Sequence, residues 1–285
     1  MAKDLATVYK PYVDEQFSAE SKIPLLTNDD FDWVGAHSVK VYKITTAEMN
    51  DYDREGTTLT GEKWSRYGVI QALDATTEEM TLTKDRSFTF AIDRLDEDET
   101  LNQLNAAGAL ARQNREVVIP EVDKHVYSVM CANAGHKVND NSVTSETIYK
   151  AILAGNEALD DAEVPETGRV LVVTPAVYSM MKFNSMTTLD GDVGADMRKR
   201  GVIGLLDGCS VVRVPAKRLP ADFGFMIAHP SATVAPVKLA EFNVHLTPPG
   251  VSGNLVEGRI VYDAFVLENK AKGIYYHAFD NSIDV

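Results

Sequence analysis

The sequence predicts an α+β chain with long extended parts, and three patterns carry that prediction. Strand-like alternation in Val39–Ile44 and again from Met80 to Ile92 brackets roughly thirty residues rich in Thr, Gly and charge. A stripe of small and apolar residues then recurs at spacings of three and four from Leu101 to Val129. Beyond it, helix-like and strand-like segments alternate from Thr144 to His229, and a strand-rich stretch follows.

Residues 1–38 mix charge, Pro11 and Pro24 with scattered aromatics, among them Phe17 and Trp33. Their apolar residues follow no period, so the segment reads as an arm laid on this subunit or a neighbour. Residues 44–79 form the long loop between two strands. Loops of that length are usually functional or ordered by a partner, and Trp64, Arg66 and Tyr67 near its middle are the expected contact residues, the alternative being that Trp64 and Tyr67 pack within their own subunit. Phe17 and Trp33 are expected to make assembly contacts from the arm.

Asp96 to Glu99 are acidic and precede the helical stripe. Carboxylates face the unpaired N–H groups of a first turn, so the run marks helix entry. One long helix is expected over 98–135, with Leu101, Leu104, Gly108, Ala111, Val118, Val122, Val126 and Val129 on its buried side and Gly135 as its stop. Pro120 sits inside it. A proline removes one helix hydrogen bond and clashes with the preceding turn, so a kink is expected there.

Thr144 or Ser145 can cap a second helix whose buried face is Ile148, Ile152, Leu153 and Leu159. Val170–Val173 is a continuous apolar run and reads as a fully buried strand. Pro175 opens a short helix through Met181, and Val211–Val214 and Phe225–Ala228 are further strands. Phe242, Val244 and Leu246, then Leu255–Leu267 and Ile274–Tyr276, close the chain as strands.

Composition narrows the function. The net charge is −14, which repels phosphate backbones and argues against a dedicated nucleic-acid binder, though not against a container of nucleic acid. Two cysteines, Cys131 and Cys209, fall in apolar segments and read as buried thiols in a reducing cytoplasm. The first ten residues lack the apolar core of a signal peptide, and no apolar run approaches membrane-span length. No phosphate-cradling glycine loop, zinc-ligand spacing, calcium loop or serine elbow is present. No catalytic, cofactor or metal residues are therefore assigned. The basic cluster Met197–Arg200 reads as a solvated loop or helix end.

Several segments resemble the major capsid proteins of tailed phages that infect Gram-positive bacteria. They are Asn50-Asp51-Tyr52 with Arg54 and Gly56, the run Met80 to Phe90, and Val172 to Pro175. His229-Pro230, Ala235 to Leu239, Pro248-Pro249-Gly250 and Gly258-Arg259 through Leu267 complete the set. Each is weak alone; their order along the chain is the signal. The resemblance implies an HK97-like fold: an N-terminal arm (1–38), a peripheral domain with an extended β-hairpin loop and a spine helix (39–138), an axial α/β domain (139–233), and closing peripheral strands (234–285).

The resemblance also implies the work. The protein would self-assemble as pentamers and hexamers into an icosahedral shell around double-stranded DNA, without sequence-specific binding. The expected location is the virion, after synthesis in the host cytoplasm. Only a short arm precedes the first strand, so a separate scaffolding protein is expected, together with a portal and decoration proteins. The Pro120 kink is expected to flex as a precursor shell expands. The alternatives are an encapsulin-like nanocompartment shell, and an α/β hydrolase or transferase built on Thr144–His229.

Overall fold

The computed structural model of the chain describes residues 20–28, 38–44, 46–56, 65–70, 72–73, 75–99, 105–183 and 204–279. The chain divides into two compact units, Trp33–Leu82 and the remainder, Met1–Asp32 with Thr83–Val285.

The smaller unit is a hairpin. Strand β1 (Ser38–Ile44) pairs antiparallel with β2 (Ala75–Thr81) over seven positions, from Ser38 opposite Thr81 to Ile44 opposite Ala75. The extended loop expected over 44–79 is thus a two-stranded stem carrying a long tip.

The larger unit is organised by a mixed six-stranded sheet. Its members are β4 (His136–Asn139), β5 (Val170–Val173), β6 (Leu205–Leu206), β7 (Cys209–Arg213), β8 (Phe223–Ala228) and β13 (Ile274–Ala278), in the order β4-β13-β8-β5-β7-β6. Side chains of a strand alternate between faces, and here the alternation sorts residues into two cores. Val170, Val172, Met226, Ala228, Ile274 and Tyr276 line one face. Leu171, Val173, Phe225, Ile227 and Tyr275 line the other, under helices α4 (Ile148–Asp161) and α5 (Pro175–Phe183). Burying a side chain such as Leu171 is worth about 1.5–3 kcal/mol, and every residue of β5 is buried.

Two expectations change here. Ile152 and Leu159 are buried on α4, but Leu153 is 37% exposed, because adjacent helical positions point about 100° apart. Ile274–Ala278, expected among the closing strands of the peripheral part, instead sits inside this sheet. It runs parallel to β4 and antiparallel to β8.

The other layer of the larger unit is a three-stranded antiparallel sheet, β10-β11-β3, made of β3 (Lys84–Asp93), β10 (Val237–Leu246) and β11 (Gly253–Tyr262). Strands β9 (Thr233–Val234) and β12 (Phe265–Val266) pair separately. The long helix is shorter than expected. Asp96–Glu99 belong to a separate short helix, α1 (Arg94–Glu99), capped by the Asp93 carboxylate, which accepts from the Leu95 amide at 2.8 Å. The spine begins at Asn105, whose extended backbone and side chain, accepting from the Gly108 amide at 2.7 Å, start α2 (Ala106–Gln113).

From α2 the backbone stays helical through a π-helical stretch, Asn114–Val118, into α3 (Ile119–Ala132). These 27 residues span about 40 Å at about 1.5 Å per residue. Pro120 lies in the first turn of α3, directly after the wider turn. A π turn moves the preceding carbonyls off the proline ring and takes up the missing donor, so the helix passes the proline without stopping.

The spine's fully buried residues are Asp123, Val126, Tyr127, Met130 and Cys131; of the expected line, Val126 is among them, and Val122 and Val129 pack partly buried against the same core. Gly135 does not end the helix by a left-handed cap. Asn133 caps it, and Gly135 is small because the Ala271 backbone passes against it.

Part of the N-terminal arm is folded into its own subunit. Ile23 and Leu26 enter the core beside Tyr127 and Met130, and Asn28 bridges to Val234.

Candidate assembly surfaces

Cross-strand ion pairs brace the stem of the hairpin unit. Lys40 and Lys43 of β1 reach Glu79 and Glu78 of β2 at 3.5 and 3.2 Å. The Ser38 hydroxyl and the Lys40 ammonium hold the Glu79 carboxyl below the usual carboxylate range. Cross-strand pairs of this kind stabilise a ribbon locally. On the same strand, Tyr42 and Ile44 stand out into solvent, 72% and 66% exposed.

Beyond the stem, short-range bonds shape the tip. The Asp53 amide donates to the Arg66 carbonyl at 3.0 Å, and the Gly56 amide donates to the Asp53 carboxylate at 2.7 Å. Gly68 closes a turn at φ +93°, a left-handed conformation, and a Cβ there would lie 2.6 Å from the Asn50 side chain.

The structure therefore places two of the sequence-predicted contact residues on one tip. Tyr67 stacks edge-on against Tyr52 at 5.0 Å between ring centres and remains 77% exposed. Arg66 donates to the Arg54 carbonyl at 3.4 Å. Phe17, Trp33 and Trp64 lie outside the described residues. Sequence reasoning passed over Tyr42, Met49 and Tyr52, all exposed on this unit. Tyr42 carries a sequence signal: it is an aromatic out of phase with Val39 and Val41.

In the larger unit the buried polar groups serve architecture. Asp123 accepts from Arg218 at 2.7 Å and from the Ser21 hydroxyl at 2.6 Å, tying the spine to both the short turn before β8 and the arm. Asp263, between β11 and β12, accepts from the Thr83 amide and hydroxyl and the Ala264 amide, and lies 2.8 Å from His125 on the spine. Burial pushes the Asp263 carboxyl up, but these hydrogen bonds outweigh it and leave the group more acidic than usual. Arg169 is held by Asp160, Val164 and Pro165.

Burial pushes the Cys131 thiol up to about 12 and raises Cys209 as well, so neither is a ready thiolate. The Cys209 sulfur faces Asn156 at 3.4 Å, while the His229 ring is engaged with Ser231 and the Thr167 carbonyl. Among the described residues no group of three or more His, Cys, Asp or Glu could hold a metal ion. No helix among them is long and apolar enough to cross a membrane.

No family model matches the sequence, and neither does any curated protein. Solved structures do match. A structure from Mycobacterium phage Che8 superposes with a TM-score of 0.78 at 18% identity, covering 96% of this chain and 97% of that one. The capsid structure of cyanophage P-SCSP1u gives 0.77 at 15% identity, covering 98% and 94%. The fold is the HK97-like fold of phage capsids. The capsid of Ralstonia phage GP4, at a TM-score of 0.62 and 10% identity, covers 99% of this chain and 98% of that one.

Proposed function

We propose that this chain is the major capsid protein of a tailed phage, assembling as pentamers and hexamers into the icosahedral shell around the genome. The observation that carries the reading is the near-complete overlap, in both directions, with phage capsid structures. The six-stranded sheet with α4 and α5 serves as the axial domain, now with Ile274–Ala278 added to residues 139–233. The spine and the three-stranded sheet serve as the peripheral domain. The hairpin unit reaches a neighbouring subunit and offers Tyr42, Met49 and Tyr67 as its apolar contacts. Each contact is weak alone, and a closed shell multiplies them.

The work is geometric and not catalytic, and it takes place in the virion. An acidic wall suits a container that must not grip its polyanionic cargo. A separate scaffolding protein, a portal and decoration proteins are the partners of this reading. The test is electron microscopy of the purified protein, alone and with the products of neighbouring genes. Closed icosahedral shells are expected. A small soluble oligomer under every assembly condition would overturn the proposal.

A further inference from the structure

Strand β10 is an edge of the three-stranded sheet, paired with β11 on one side and, among the described residues, with no strand on the other. The direction of its backbone groups follows from two hydrogen bonds. The Thr247 amide donates to the Gly253 carbonyl, and the Arg94 amide donates to the Ser252 carbonyl on the opposite side of β11, each at 3.0 Å. Odd-numbered residues of β11 therefore face β10 and even-numbered ones face β3. Carried through the register Phe242 opposite Gly258, Val244 opposite Val256 and Leu246 opposite Asn254, this turns the N–H and C=O of Ala240, Phe242, Val244 and Leu246 outward. Among the described residues no hydrogen bond reaches these four backbones. Protein edges of this length are normally blunted by proline, bulges or inward charges. Here the one irregularity, between Val237 and Leu239, lies before the bare stretch begins.

We infer that β10 pairs antiparallel with β10 of a second copy of this chain, about a two-fold axis at Asn243, joining two three-stranded sheets into one of six strands. The sequence Ala240-Glu241-Phe242-Asn243-Val244-His245-Leu246 is complementary to itself in that register. Phe242 faces the partner's Val244 and Ala240 faces the partner's Leu246, all with outward backbones that can exchange both hydrogen bonds. Glu241 faces the partner's His245. Charge continues the pattern: Arg259 holds Asp85 at 2.6 Å and lies opposite Glu241, while His245 reaches Glu257 at 3.2 Å. Across the axis the order becomes Asp85, Arg259, Glu241, the partner's His245, the partner's Glu257, an alternation of acceptor and donor. A two-residue shift sets Asn243 against Glu241 or against His245 and loses it. A one-residue shift sets outward backbones against inward ones. The pairing rests on the shell reading, in which copies meet about two-fold axes.

The test is disulfide trapping with Asn243→Cys. Across the axis the two positions form a non-hydrogen-bonded pair with Cα atoms about 4.5 Å apart, within disulfide reach. Two copies of Glu241→Cys would be about 13 Å apart and out of reach. Both native cysteines are buried. Expected is a covalent dimer on oxidation of assembled particles with Asn243→Cys. Glu241→Cys alone should give none, and an equal mixture of Glu241→Cys and His245→Cys chains should restore it. Adding Val244→Pro, which removes an outward N–H that β11 does not use, should abolish the dimer while thermal melting shows a folded subunit. Shells without the dimer overturn this inference and leave the shell reading standing. A trapped dimer without shells supports the pairing and sinks the shell reading. Absence of both sinks both.

Discussion

Arg218 and Asp123 form a buried ion pair, 2.7 Å from Nη1 to Oδ2, with side chains 4% and 3% exposed. The pair joins the middle of the spine to the short turn that precedes β8. The Ser21 hydroxyl, 2.6 Å from the other carboxylate oxygen, brings the arm to the same point.

Removing one partner leaves an uncompensated charge in the core. Asp123→Ala is expected to cost about 3–5 kcal/mol, read as a lowered denaturant midpoint. Asp123→Leu with Arg218→Met should recover most of that loss, because the desolvation cost disappears with the charges. If the double variant is as unstable as the single one, the ion pair does more than neutralise itself.

His277 of β13 is 2% exposed and stacks on Phe225 with ring centres 4.8 Å apart. Burial lowers its pKa from the ordinary 6.5, and the Asp140 backbone and carboxylate only partly oppose this. The unfolded chain then binds the proton more tightly than the folded one. Stability should be full above about pH 6.5 and decline as pH falls below it. His277→Phe keeps the stack and should flatten that part of the profile, measured by denaturation at about pH 7.5, 6.5 and 5.5. A profile unchanged by the substitution would remove His277 as its cause.

Gly135 donates its amide to the Ala271 carbonyl at 2.9 Å, and a Cβ there would lie 2.6 Å from the Ala271 backbone. Backbone cannot move aside as a flexible side chain can. Gly135→Ala should therefore cost about 1–3 kcal/mol despite being a single methyl, visible as a lowered Tm.

Tyr42 and Tyr67 test the hairpin as an assembly surface. Alanine at both should leave the far-ultraviolet spectrum and melting of the free subunit almost unchanged. It should raise the concentration needed for shell assembly, with about 1–2 kcal/mol lost per contact. Assembly at the original concentration would exclude these two rings from the interface.

Legibility in the sequence followed the range of the interactions. Val170–Val173 was plain as a buried strand because four apolar residues in a row have no solvated face. The hairpin stem showed in the alternation of Val39 and Val41. The spine was visible, and Val122, Val126 and Val129 with it, but the centre of its buried face was not. Asp123 reads as a surface residue until Arg218, far along the chain, turns it inward and brings Tyr127 and Met130 with it. The break at Asn105 was hidden because the stripe of small residues runs straight through it. The position of β13 had no local signal, since its neighbours β4 and β8 are set by tertiary packing alone. Of the exposed rings on the hairpin unit, Tyr67 was picked out by its size, while Tyr42 was hidden inside an otherwise regular strand.

The placement of Ile274–Ala278 between β4 and β8 also sets an order of events during synthesis. Every other strand of that sheet leaves the ribosome earlier, so β8 waits with one side unpaired and β4 waits with no partner. A nascent chain at that stage shows adhesive backbone to its neighbours on the same messenger. The six-stranded sheet can therefore close only once β13 has been made, because β4 has no other partner in it and β8 lacks one side until then.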